Sequence, residues 1–181
     1  MQKEILELHK LIKIKNIDKA YVEAKKLYNL NPKNQEIIKV LAYLHIQKSN
    51  FDGAITILDR YYNENPQQKD FDYYANKGVA LKSIEEFESA LLMYDEAVKI
   101  NSESPLCYTV PAEISLKLRK FDQAIKLINK GLEKIGNSAG KNNIMHFPNA
   151  IKLKTEINVA LKKDKENGDM LKNILSKEFH P

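Results

Sequence analysis

The chain has 181 residues, one cysteine and no tryptophan, and of its 29 basic residues only Arg60 and Arg119 are arginine. The single Cys107 excludes an internal disulfide framework. Together with His9, His45, His146 and His180 it offers no zinc-ligand spacing. The shortage of arginine argues against a specific nucleic-acid reader, because the planar guanidinium fork is what grips base edges bidentately. No run approaches ~18 uninterrupted apolar residues, so no membrane span is expected. The opening MQKEILELHK lacks the apolar core of a signal peptide, which makes the cytoplasm the default compartment. There is no phosphate-cradling glycine loop, nucleophile elbow or metal-binding helix motif. The sequence therefore points away from an enzyme and implies no cofactor and no metal.

What is present is ordinary for a helical protein: 43% hydrophobic and 29% charged residues, with a net charge of +5. The charge is uneven. Residues 1–50 carry +5, residues 51–136 carry −3 and residues 137–181 carry +3. Basic ends thus flank a mildly acidic middle.

The strongest pattern is a repeat. Ile17-Asp18-Lys19-Ala20, Phe51-Asp52-Gly53-Ala54, Phe87-Glu88-Ser89-Ala90 and Phe121-Asp122-Gln123-Ala124 place their alanines 34, 36 and 34 residues apart. Asn-Pro closes two of the units, at Pro32 and Pro66. A period of this size is the signature of stacked helical hairpins, each unable to bury its apolar face alone. Small residues at Ala42, Gly78 and Ala112 in the first helices, and the tetrad alanines in the second, permit close helix approach. Phe51, Phe87 and Phe121 can wedge between the helices near the turn.

These residues resemble the tetratricopeptide repeat. Ala54-x3-Leu58, Ala90-x3-Tyr94 and Ala124-x3-Ile128 carry its register, and Ala97 matches its next small position. The resemblance covers about residues 3–136. The first unit departs from it at Leu8, where a small residue is expected, the third lacks the closing proline, and no unit has the family's tryptophan. The implied fold is all-α: a right-handed α-solenoid of four hairpins, at about 1–34, 35–68, 69–102 and 103–136. The two extra residues of the third unit fall in the approach Pro66–Asp70. In the fourth unit Pro111 either kinks a helix starting near Pro105, by removing an amide donor, or begins a later one; the kinked helix is favoured. A loop at 137–148 and a C-terminal capping pair of helices over 149–181, broken near 164–168, complete the chain. Ile151, Ile157 and Met170 are expected to face inward from that pair.

The resemblance also implies a concave groove lined by the first helices. It would present His9 and Lys13, then Lys39, Tyr43, Ile46 and Gln47. Asn76, Val79, Lys82 and Ser83 follow from the third unit, and Glu113, Leu116 and Lys117 from the fourth. Lysines beside Asn and Tyr suit a ligand with carboxylates and free backbone amides. Family members that clamp a C-terminal carboxylate do so with a Lys/Asn/Arg cluster. Only Lys39 and Asn76 match that cluster, whereas Tyr43, Leu106 and Val110 occupy its other places, so that clamp is rejected. Of the two tyrosine pairs, Tyr61-Tyr62 and Tyr73-Tyr74, one ring each must pack into the core.

The functional expectation is a non-enzymatic protein–protein interaction scaffold that binds a peptide or helix of a partner. Rival readings are a self-assembling homo-oligomer, a regulatory part of a larger enzyme and, least favoured, an RNA-associated repeat.

Overall fold

A computed structural model describes residues 2–137 and 147–178, and all regular structure in them is helical. The helices run α1 (Gln2–Lys13), α2 (Ile17–Leu30), α3 (Gln35–Gln47), α4 (Phe51–Glu64), α5 (Phe71–Ser83), α6 (Phe87–Ile100), α7 (Leu106–Lys117), α8 (Phe121–Asn137) and α9 (Phe147–Glu178). A 3-10 turn at Pro66–Gln68 precedes α5 and houses the expected two-residue excess. The all-α hairpin-repeat class is thus the observed one. The helices form two compact units, residues 1–101 and 102–181.

One backbone device makes every hairpin. Lys15, Ser49, Glu85 and Arg119 all take positive φ, between 57° and 65°. Each lets the chain leave its first helix through a pair of backbone hydrogen bonds. At the second hairpin Ser49 N–H donates to Ile46 O and Asn50 N–H to His45 O, both at 2.9 Å. The same pair recurs as Lys15→Ile12 with Asn16→Leu11, Glu85→Lys82 with Glu86→Leu81, and Arg119→Leu116 with Lys120→Ser115. This is the helix C-terminal motif in which a left-handed residue satisfies the last carbonyls. The next residue then starts the second helix. Asn16 and Asn50 accept from the N–H groups of Lys19 and Gly53 with their side chains.

Within residues 1–101, α3 packs against α2, α4 and α5. Leu8, Ile37, Ile38, Leu44, Leu58 and Tyr62 form its core. Ala20, Ala54, Ala90 and Ala124, the tetrad alanines of both units, are all fully buried, as are Ala42, Ala97 and Ala112. Leu8 is buried too, so the first hairpin accommodates a large residue where a small one is expected.

Within residues 102–181, α7 packs on α8 and α8 on α9, around Ala112, Ala124, Ile128, Ile135, Ala150 and Ile157. Helix α7 continues through Pro111, started by Tyr108 and Thr109 N–H donating to Pro105 O at 3.0 and 2.9 Å. The later start at Pro111 is therefore excluded. The expected capping pair is corrected: α9 is one helix through Gly168. A glycine inside a helix costs only about 1 kcal/mol. Arg119 pairs with Asp164, and Lys162 lies 3.8 Å from Glu166, which supports the helix across the expected break. Ile157 is buried, but Ile151 and Met170 are exposed, contrary to their expected inward placement. The loop expected at 137–148 is also shortened at both ends, because Asn137 closes α8 and Phe147 opens α9. Its centre, 138–146, and the last residues of the expected pair lie outside the described residues.

Candidate functional site

The expected groove residues lie on first helices, but in two separate units. Lys13, Lys39, Tyr43, Gln47, Asn76, Val79 and Lys82 belong to the unit of residues 1–101, on α1, α3 and α5. Glu113 and Lys117 belong to the other, on α7.

In the first unit, contacts between successive first helices hold α1, α3 and α5 in order. His9 Nε2 lies 3.0 Å from Glu36 Oε1, joining α1 to α3. Lys39 Nζ reaches Asp70 Oδ2 and Asp72 Oδ2, each at 2.9 Å, joining α3 to the start of α5. Gln35 Nε2 donates to Gln68 O at 3.0 Å and lies 3.3 Å from the Tyr62 hydroxyl. Behind this seam the rings of Tyr61, Tyr62, Tyr73 and Tyr74 form a ladder with centroid steps of 5.0, 4.5 and 5.0 Å. Tyr62 and Tyr73 are buried while Tyr61 and Tyr74 are half-buried, as a helical phase requires of adjacent pairs. Burial pushes the Tyr62 phenol up to about 12. Lys77 Nζ closes the ladder on Asp59 Oδ1 at 2.5 Å.

This arrangement corrects the expectation for Lys39. Its side chain is only 18% exposed and is held between two carboxylates. Burial alone would lower its ammonium, but the hydrogen bonds it donates to Asp72 and Asp70 outweigh it and hold the group above the ordinary lysine range. Lys39 is a clasp between repeats. Asp70 and Asp72 are the residues that sequence reasoning missed, Asp70 having been read as the end of a longer turn and Asp72 as an ordinary residue of the helix after it. The available signal was Asp70 three residues ahead of Tyr73, whose N–H it caps at 3.1 Å.

The rest of the stripe is differently placed. On α3, Gln47 is exposed and Tyr43 is half-buried against the core. On α5, Asn76, Val79 and Lys82 are half-buried. The side chains of Gln47 and Asn76 make no hydrogen bond to other described residues. Lys13 is exposed at the end of α1. In the second unit Lys117 is exposed, whereas Glu113 lines a cleft of about 350 Å³ between α7 and α9 with Thr109, Lys152 and Glu156. Cys107 is buried, and burial pushes its thiol up to about 11, so it is a poor nucleophile at neutral pH. No helix among the described residues is long and apolar enough to cross a membrane.

Known proteins share this fold. Residues 47–131 match the family of anaphase-promoting complex (cyclosome) subunit 3, and residues 11–76 match the tetratricopeptide repeat. Tetratricopeptide repeat protein 21A of Mus musculus is 30% identical over 93 residues, which is 51% of this chain but only 7% of that protein. The chain thus corresponds to a small part of that relative's length. The APC/C hetero-tetramer Cut9–Hcn1 superposes with a TM-score of 0.71 at 17% identity, over 85% of this chain and 29% of that one. The TPR2B domain of yeast Sti1, in its pHsp70 complex, gives 0.58 at 17% identity, over 68% and 94%. The two family matches together reach from residue 11 to residue 131, on hairpins whose tetrads recur every 34 to 36 residues, and on these grounds the chain belongs to the tetratricopeptide repeat family.

Proposed function

We propose that the chain is a non-enzymatic scaffold holding a peptide or helix of a partner protein on the face carried by α1, α3 and α5. One observation carries the reading. The Lys39–Asp70/Asp72 clasp fixes α3 against α5, while Gln47 and Asn76 on those same helices keep their amides unengaged. An amide donates and accepts, so it can meet a peptide backbone in either sense. Tyr43 and Val79 supply rigid apolar area beside them. Lys13 and Lys82 add positive charge along the same helices, while Glu113 and Lys117 stand on α7 of the other unit as a separate candidate surface. That the similar yeast Sti1 domain was solved with an Hsp70 peptide, and Cut9 in a hetero-tetramer, supports the reading without naming this chain's partner.

The test leaves the clasp intact. Affinity capture from the source cells is run with the wild type and with a Gln47→Ala/Asn76→Ala variant of unchanged helicity. Capture weakened by roughly tenfold supports the face; undiminished capture places the partner surface elsewhere. Light scattering across concentration separates this from self-assembly, the rival reading, which requires mass to rise with concentration.

A further inference from the structure

A second site lies away from that face, where α2 and α4 flank α3. The cleft there has a volume of about 310 Å³, with Leu41 and Ile57 among its lining residues and Tyr21, Tyr28, Lys25 and Arg60 around them. Its charge is one-sided: no acidic residue lines it. Lys25 Nζ stands 5.6 Å from the centre of the Tyr21 ring. Arg60 is exposed and, among the described residues, has no carboxylate partner, whereas the chain's other arginine, Arg119, is paired with Asp164. Lys48, which also overhangs the Tyr21 ring, is neutralised by Asp18 at 2.5 Å. Two cations contributed by successive repeats therefore remain uncompensated around an aromatic and aliphatic cleft.

His45 forms part of the wall, edge-on to Tyr21 with centroids 5.2 Å apart. Its Nδ1 is buried without a hydrogen-bond partner among the described residues, against Gly53, where a β-carbon would sit only 2.6 Å away. The glycine keeps this corner open. A cleft this small, near the lower bound of ligand pockets, accommodates one large side chain and a neighbouring anionic group.

The geometry points to this cleft as a docking site for a partner peptide segment in which an aromatic side chain is flanked by a carboxylate, the ring entering beside Tyr21 and Tyr28 and the carboxylate meeting Lys25 and Arg60. Guanidinium and carboxylate pair bidentately, which gives direction as well as attraction. This site is independent of the face proposed above, and the two can be lost separately.

The test is an amide-resolved NMR titration of the full chain with acetyl-Glu-Phe-Glu-amide, acetyl-Gln-Phe-Gln-amide and 3-phenylpropionate as probes. The expected result is a set of shifts centred on Tyr21, Lys25, His45, Gly53 and Arg60. The glutamate peptide should bind roughly tenfold more tightly than the glutamine peptide. Lys25→Gln/Arg60→Gln, both at exposed positions, should remove that difference, while Gln47→Ala/Asn76→Ala should leave it unchanged. Shifts centred elsewhere, equal affinity for the two peptides, or no binding at millimolar probe would overturn the site. Phenylpropionate binding as tightly as the glutamate peptide would overturn the peptide assignment in favour of a small aromatic acid.

Discussion

The ring of Tyr94 lies against the bare α-carbon of Gly78, so close that a β-carbon there would sit 2.7 Å from its Cε2. Both residues are buried, and the Tyr94 hydroxyl is 3.4 Å from Ala75 O. The hairpin of α5 and α6 is therefore set by a missing side chain on one helix and a large one on the other.

Gly78→Ala should consequently destabilise, although alanine is the better helix former by about 1 kcal/mol. Overpacking of this kind costs about 1–3 kcal/mol, so the expected net loss is about 1 kcal/mol, read as a lower urea midpoint at unchanged slope. Ala54→Leu, at a fully buried tetrad alanine, lacks the propensity gain and should lose more. An unchanged midpoint for both would show that the helices have room to separate.

The four positive-φ residues give an opposite expectation. A left-handed conformation costs a non-glycine residue roughly 1–2 kcal/mol, part of which glycine returns as flexibility of the unfolded chain. Ser49→Gly should therefore stabilise by about 0.5–1 kcal/mol, seen as a higher Tm. Arg119→Gly should gain less, because it also gives up the pair with Asp164.

Lys39→Ala should leave Asp70 and Asp72 facing each other at the start of α5, costing about 1–2 kcal/mol, between the values for exposed and buried ion pairs. Asp70→Ala should cost more than Asp72→Ala, since Asp70 also caps the Tyr73 N–H. A lysine held above its ordinary value contributes its full stability below that value and loses it only as pH rises through the folded value. The destabilisation of Lys39→Ala should thus be constant between pH 6 and 9 in chemical melts. Variation within that window would place the clasp's energy in other groups.

His45 should show in the acid limb. Burial, and secondarily Lys25, holds its imidazole below the ordinary value of 6.5. The unfolded chain takes up the proton first, so stability present above 6.5 is lost as pH falls through the folded value. The fall in Tm from pH 7 to pH 5 should be smaller in His45→Gln than in the wild type; an equal fall in both would remove His45 as its source.

The helices were legible because their packing residues recur: Ala20, Ala54, Ala90 and Ala124 announce four buried contacts, and the tyrosine pairs announce one buried ring each. The hairpin turns were not, since their left-handed positions hold Lys15, Ser49, Glu85 and Arg119, and no glycine marks them. Gly168 suggested a break that its cost is too small to impose on α9. At the candidate site, the stripe of first-helix residues could be read from spacing, but the engagement of Lys39 could not. Its partners lie 31 and 33 residues away, across the Pro66–Gln68 turn, where the repeat period slips from 34 to 36.

That slip shows where the chain tolerates a change of length. At the first two hairpins a single residue, Asn16 or Asn50, both closes one helix with its N–H and opens the next with its side chain. Such a joint has no slack: an inserted residue would disconnect the two roles and re-aim the whole second helix. The links between hairpins carry no such double duty, and the one at Pro66–Gln68 absorbs its surplus as a short tight turn. Loop grafts, tags or protease sites therefore belong at 66–69, where the molecule has already accepted an insertion, and never at 48–50.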